Sequence, residues 1–298
     1  MSSVFRARVP IEGAFDLRLT ARALQRLSTN SVDVISEDGT YRRALQEQGH
    51  VVALRVRQPK PQELDIAATG TRSERHLATV KFMLGIDVDL RAWGDCVRGI
   101  PWLQELTRRH RGLRPPRYPS LWEAVAHSIV FQQISLHAAA AIMQRFVHAF
   151  SIPTEDEGFV LLPFPAVEAV ADAAITELQR AGLSSNKAVA LRQAAIAFSR
   201  GEIDEAALRE SPSAEAVALL SRLRGIGPWS AAVILLRGLG RLDVFPLNDS
   251  GVASSIKLLA GDATVDLDRL LLQLGDRRGM LYFHLLIGRL AHAERKHG

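Results

Sequence analysis

One cysteine, Cys96, occurs in 298 residues. A single thiol excludes an internal disulfide framework and a four-cysteine iron–sulfur centre, and it points to a reducing compartment. Apolar runs are short or broken by charge, and the amino-terminal Met-Ser-Ser-Val-Phe-Arg lacks the order of a secretory signal. These absences predict a cytoplasmic protein, nucleoid-associated in a bacterial cell, with no membrane partner. There is no P-loop, no zinc-ligand spacing and no nucleophile elbow, and Gly225-Ile-Gly227 lacks the preceding strand that a dinucleotide-binding turn requires. Internal repeats and low-complexity segments are absent too.

What is present begins with charge. There are 37 Lys and Arg against 32 Asp and Glu, a net +5 with a sequence pI near 9.8. That balance favours a polyanionic partner, because neutralising phosphates releases counterions, although many basic proteins bind no nucleic acid. The length suits two or more units, since single domains usually hold about 100–200 residues.

A division near residue 85 is predicted. Before it, Phe5–Pro10, Val32–Ser36, Tyr41–Leu45, His50–Gln58 and Leu64–Ala67 alternate apolar and polar residues, separated by turn signals such as Asp38-Gly39 and Gln48-Gly49. Asp16–Leu27 and Ser73–Leu84 read as amphipathic helices. After Gly85 the pattern is almost wholly helical, with alanine-rich stretches at Ala138–Phe150, Lys187–Ser199 and Ser213–Leu223. The expected fold is α+β: a small amino-terminal antiparallel sheet with helices over residues 1–85, then a helical unit over 86–298.

Within the helical part, Val217, Leu219, Leu220 and Leu223 form an apolar stripe, Gly225-Ile-Gly227 breaks it, and Trp229, Ala232, Val233 and Leu236 resume a helical period. This predicts a helix, a tight turn and a second helix. Glycines at both ends of the turn remove side chains that would hold a ligand away, and they permit positive φ. Pro228 suits the first turn of the second helix, whose unpaired amides form a site for an anion such as a phosphate.

This segment, Leu223-Arg-Gly-Ile-Gly-Pro-Trp-Ser-Ala231, together with Asp249 in Val244-Phe-Pro-Leu-Asn-Asp249-Ser, resembles the helix-hairpin-helix of the DNA glycosylase superfamily that carries a Gly/Pro-rich loop and a catalytic aspartate. Gly225, Gly227, Trp229, Ser230, Ala231, Phe245, Pro246 and Asp249 all match that pattern. Further segments in the same order extend the resemblance across nearly the whole chain: Gly85-Ile-Asp-Val-Asp-Leu90, Arg111-Gly-Leu-Arg-Pro-Pro-Arg117-Tyr-Pro, Phe131-Gln-Gln-Ile-Ser135 and Gly182-Leu-Ser-Ser-Asn-Lys187. They narrow it to the alkylation-repair glycosylases of the 3-methyladenine type II family.

The resemblance implies cleavage of the bond between a damaged base and deoxyribose. Such cleavage builds positive charge on the sugar, which an ionised carboxylate beneath the ring stabilises. Asp249 takes that role by resemblance; it also reads as the cap of a helix beginning near Ser250, and the two roles are compatible. Asp243 reads as ordering its loop, and Asp262, Asp266 and Asp268 as caps or first-turn charges. Bifunctional members carry a lysine at the place of Trp229, which attacks the sugar and forms a Schiff base. Tryptophan cannot do so, and Lys257 reads as a solvated helix lysine, which leaves water as the nucleophile and an abasic site as the product.

The target atom is hidden in the duplex, so these enzymes rotate the nucleotide out. By resemblance Gln133 is the wedge that fills the gap, with Gln132 and Ile134 supporting it. Electron-poor alkylated purines are drawn to aromatic faces. Trp229, Phe131, Tyr282 and Phe283 are the candidate walls, each of which also reads as core. Three departures from the family pattern, Leu286 and Ala23 where aromatics are expected and Ser250 where a tyrosine is, predict a less aromatic and roomier pocket. His284 reads as an interior histidine. DNA grip is expected from the Gly225–Trp229 amides, Ser230, Lys187, Arg114, Arg117, Arg222 and Arg224. No metal or cofactor is required, apart from a monovalent cation that the family implies between the carbonyls of Leu223–Gly225 and a DNA phosphate.

The function so implied is a monofunctional, monomeric DNA glycosylase that excises alkylated bases of the 3-methyladenine and 7-methylguanine type from double-stranded DNA in base excision repair. Uracil, hypoxanthine or oxidised purines are close variants. The alternatives are a non-catalytic hairpin module that binds DNA or senses lesions, and a helical protein-interaction domain. Asp249 argues against the former, since binding a polyanion needs no carboxylate.

Overall fold

Period-two alternation builds a five-stranded antiparallel sheet. The computed structural model describes residues 4–47, 50–70, 74–247 and 249–297, so the expected Gln48-Gly49 turn lies outside the described residues. Strands β1 (Val4–Pro10), β2 (Val34–Ile35), β3 (Tyr41–Glu47), β4 (His50–Lys60) and β5 (Glu63–Thr69) lie in the order β1-β5-β4-β3-β2. Leu64, Ile66, Leu54, Val56, Tyr41 and Leu45 are buried on the face towards the helices. The expected strand Val32–Ser36 is shorter because the Asn30 side chain already accepts the amides of Val32 (2.9 Å) and Asp33 (3.0 Å). Helix α1 (Leu17–Gln25), capped by Asp16, joins the two sheet edges.

Helices follow from α2 (Glu74–Met83) through α3 (Trp93–Cys96), α4 (Pro101–Arg109), α5 (Leu121–Phe131) and α6 (Leu136–Phe150). Two short strands interrupt the almost wholly helical succession here, for β6 (Thr154–Asp156) and β7 (Phe159–Leu161) form a hairpin. Its stability is tertiary, since an isolated two-stranded hairpin is marginal in water. Leu161 packs on Ala44 and Ala53, on the outer face of the sheet, and Asp156 pairs with Arg42 (3.2 Å) and Arg55 (3.0 Å). The chain continues through α7 (Val167–Asp172), α8 (Ile175–Arg180), α9 (Ser185–Ser199), α10 (Glu205–Glu210), α11 (Ser213–Leu220), α12 (Pro228–Ile234), α13 (Ser250–Ala260), α14 (Leu267–Leu274) and α15 (Gly279–His297). A π-helical turn, Leu235–Leu239, extends α12. Among the described residues no helix is long and apolar enough to cross a membrane.

One apolar core runs from Phe5 to Leu290 and joins sheet to helices. At its centre Arg43 of β3 is fully buried and donates to Asp33 (2.6 Å) and to Glu123 of α5 (2.5 Å), while the Tyr41 hydroxyl donates to Asp33 (2.6 Å). Buried charges persist only when paired. Burial nevertheless pushes the Glu123 carboxyl up to about 7, against the pull of Arg43. This ion cluster sets the position of α5 relative to the sheet, and α5 leads to the site.

Candidate active site

Helix α5 starts at a Ser120 cap, whose hydroxyl accepts from the Glu123 amide (3.2 Å), and it stops at Phe131 because Gln132 turns extended. Gln133 then adopts a left-handed backbone with φ +55, and the Ser135 hydroxyl caps α6 by accepting from the Ala138 amide (3.2 Å). A non-glycine residue in that region costs about 1–2 kcal/mol. The strained turn carries Gln133 and Ile134 into solvent, the latter 38% exposed. An exposed apolar tip beside a polar one is what the wedge expectation requires.

Facing this turn is the hairpin between α11 and α12. Gly225 has φ +80, and a Cβ there would come within 3.0 Å of Ala190 Cβ, so α9 and the turn meet only because the side chain is missing. Gly227, expected to share that backbone, is extended instead (φ −92, ψ 179). Its value is space: a Cβ there would meet nothing within 4 Å, which leaves the start of α12 open to a ligand.

Two side chains expected on DNA instead hold these pieces together. Gln132 Nε2 donates to the Gly225 carbonyl (2.8 Å) and to Ser230 Oγ (2.6 Å), tying the wedge turn to the hairpin. Ser230 is itself buried, so its hydroxyl is not presented to a phosphate. Lys187 Nζ donates to the carbonyls of Val130 (2.8 Å) and Gln132 (2.7 Å), capping the end of α5, and partial burial lowers its pKa. Arg114 and Arg117 are also corrected. Both are buried, Arg114 on the carbonyls of Glu12, Ala14 and Val88, Arg117 on Phe82 and Asp87. Arg222 and Arg224 alone of the expected arginines are exposed.

Asp249 sits where the expected cap and the expected carboxylate coincide. Its Oδ1 accepts from the amides of Gly251 (2.7 Å) and Val252 (3.1 Å) at the start of α13, and its Oδ2 accepts from Trp229 Nε1 (2.9 Å). The side chain is therefore locked on both oxygens. It lines a cavity of about 940 Å3 together with Trp229, Gln133, Phe131, Tyr282 and Leu286. Phe283, expected beside Tyr282, is fully buried and packs edge-on against it, because adjacent residues of α15 point to different faces. Ala23 is buried as well and does not line the cavity.

The remaining expected residues fall elsewhere. Asp266 caps α14 by accepting from the Arg269 amide (3.1 Å), while Asp243, Asp262 and Lys257 are exposed and away from the cavity. His284 is interior, stacked between Trp93 and His110, with its Nδ1 3.3 Å from that of His110, and burial lowers its pKa to about 3. Among the cavity residues that carried no expectation are Arg26, Tyr118, His127 and Arg289. Tyr118 and His127 are buried and stacked at 4.3 Å, which makes them the floor, and burial holds the His127 imidazole well below its usual range and so neutral. Tyr118 lay within a quoted segment; the position of Arg26 had no local signal.

Residues 126–273 match the family model described as HhH-GPD superfamily base excision DNA repair protein. The match takes in just under half of the chain. It is 32% identical over 174 residues to a DNA-3-methyladenine glycosylase of Bacillus subtilis, an alignment that covers 58% of this chain and 57% of the relative. The chain thus spans little more than half of that relative. Among solved structures, a 3-methyladenine DNA-glycosylase from Archaeoglobus fulgidus has a TM-score of 0.79 at 24% identity, covering 95% of this chain and 98% of that one. A Clostridium acetobutylicum 8-oxoguanine glycosylase/lyase bound to double-stranded DNA has a TM-score of 0.74 at 16% identity, covering 100% and 99%. At these identities the structural likeness establishes the fold. The HhH-GPD match contains the wedge turn, the hairpin and Asp249, whereas Arg26, Tyr118, Tyr282 and Arg289 lie outside it.

Proposed function

We propose that this chain is a monofunctional DNA glycosylase that flips alkylated bases of the 3-methyladenine and 7-methylguanine type out of duplex DNA and hydrolyses their N-glycosidic bond in base excision repair. It acts as a monomer in the cytoplasm and leaves an abasic site. The observation that carries this reading is the Asp249 carboxylate, held by two amides and the Trp229 indole at the wall of a cavity large enough for a nucleotide. A carboxylate already oriented needs no reorganisation as charge develops on the sugar. The glycosidic bond breaks with its electron pair passing to the base, which neutralises a cationic alkylpurine, while water adds to the sugar carbon and gives its proton to solvent. Among the described residues no lysine lines the cavity, which supports water as the nucleophile. The curated relative named as a DNA-3-methyladenine glycosylase supports the substrate class.

DNA is held by the amides that open α12 and by Arg222 and Arg224, with Gln133 and Ile134 entering the vacated stack. The Leu223 carbonyl already accepts from the Ile226 amide (3.0 Å) and that of Gly225 from Gln132, so each keeps one lone pair. That fits a weakly held monovalent cation, completed by phosphate and water oxygens, which would offset phosphate charge at the turn.

The test is base release from oligonucleotides containing 3-methyladenine, 7-methylguanine, 1,N6-ethenoadenine, hypoxanthine or uracil, run beside Asp249→Asn. Asparagine keeps the capping oxygen, so thermal stability is expected to hold while base release falls about 100-fold or more. Release at the full rate in that variant would overturn the role of Asp249. Strand breaks trapped by borohydride would overturn monofunctionality, and DNA binding without release from any substrate would leave a non-catalytic lesion sensor.

A further inference from the structure

Arg26 ends α1 in a backbone conformation that costs the chain stability. Its φ is +59 and its ψ −60, and the Leu27 amide donates to the Gln25 carbonyl across it at 2.7 Å. This is the rare form of the three-residue γ-turn, which strains any side-chain-bearing residue. The turn places a guanidinium on the wall of the cavity. Nη2 donates to the Tyr118 hydroxyl (3.2 Å), and Cζ lies 4.6 Å from the centre of the Phe131 ring. Among the described residues Nε and Nη1 have no hydrogen-bond partner and no carboxylate makes an ion pair with the group.

Positive groups stand nearest the guanidinium, while the buried carboxylates Asp33 and Glu123 lie behind them, engaged by Arg43. Arg237 is fully buried behind Tyr118, its Cζ 4.6 Å from that ring, and His127 beside them is neutral. Among the described residues the only carboxylate of the cavity wall is Asp249, which shares its rim with the hairpin. A base entering between Phe131 and Tyr282 therefore meets the unpartnered donors of Arg26, with the Tyr118 oxygen and one nitrogen of the neutral His127 as the nearby acceptors. A buried donor left without an acceptor is unfavourable, so a substrate oxygen placed there gains what the empty cavity lacks. An exocyclic amino group cannot accept from Arg26 and leaves its donors unpaired.

We infer that Arg26 is a specificity-determining residue, which donates to an exocyclic carbonyl oxygen of the flipped base and so favours keto-bearing purines, such as 7-methylguanine and hypoxanthine, over amino-bearing 3-methyladenine. This rests on the glycosylase reading of the same cavity and narrows its substrate class. A site built to hydrogen-bond one substrate group rejects the analogue that lacks it more strongly than an apolar pocket discriminates shape.

The test compares kcat/KM for 7-methylguanine, hypoxanthine and 3-methyladenine in the wild type, Arg26→Met, Arg26→Lys and Arg26→Gly. Loss of a hydrogen bond from a charged donor predicts a fall of about 10-fold or more on the two keto substrates in Arg26→Met, with 3-methyladenine changed by less than about 3-fold. Lysine should rescue in part, since it restores charge and a donor without the fork. Glycine relieves the turn, so its melting temperature should equal or exceed that of the wild type while selectivity is lost as in Arg26→Met. Equal losses on keto and amino substrates would overturn the inference, as would unchanged ratios in Arg26→Gly. Absence of release from every substrate in the wild type would instead overturn the glycosylase reading.

Discussion

Asp249 serves two ends with one carboxylate: Oδ1 starts α13 and Oδ2 is held by the Trp229 indole. Trp229→Phe keeps the ring and removes the donor. A hydrogen bond to a charged group is worth about 1.5–3 kcal/mol, so kcat for base release should fall about 10-fold or more, with KM for the damaged duplex changed far less. Steady-state kinetics at saturating duplex measure this, and an unchanged kcat would mean that the indole does not hold the carboxylate. Both residues were legible in the sequence, because their spacing belongs to a local motif. Tyr282 and Phe283 were not separable there, since two aromatics in succession carry the same signal until a helix turns one to the cavity and the other to the core. Arg26 was not legible at all, for no sequence pattern announces a γ-turn at arginine.

The wedge turn and the hairpin act as one element, joined by Gln132 and braced by Lys187. Two of the basic residues expected on phosphate, Arg224 and Lys187, should therefore separate in salt titrations. Arg224→Gln removes an exposed cation and should lessen the slope of log K against log salt by about 0.9, whereas Lys187→Met should leave the slope unchanged and increase amide exchange over residues 130–135. Fluorescence anisotropy at several salt concentrations reads the first and hydrogen exchange the second. A reduced slope in Lys187→Met would return that lysine to the phosphates. Periodicity located the strands of the main sheet and several of the helices, but it passed over the 154–161 hairpin, whose short strands form only against Ala44, Ala53 and the arginines of β3 and β4.

Across the whole molecule, sheet and helices are joined by the buried contact of Arg43 with Asp33 and Glu123. Arg43→Met leaves two interior carboxylates without their cation, and breaking such a cluster costs about 3–5 kcal/mol. The denaturant midpoint should drop accordingly, and because α5 ends at the wedge turn, base release should fall with it at temperatures where the variant is folded. A loss below about 1 kcal/mol would show that the cluster does not join the two parts. Sequence order alone established the hairpin, the aspartate, the absent lysine and the succession of sheet then helices, because spacing and period are local properties of a chain. Packing across the fold settled the rest: which of two neighbouring aromatics faces the cavity, which arginines and lysines are already engaged, and that a guanidinium from α1 enters a pocket whose carboxylate lies more than two hundred residues later. Those depend on contacts between distant segments, and the buried partner that commits a charge is invisible until the chain has folded around it.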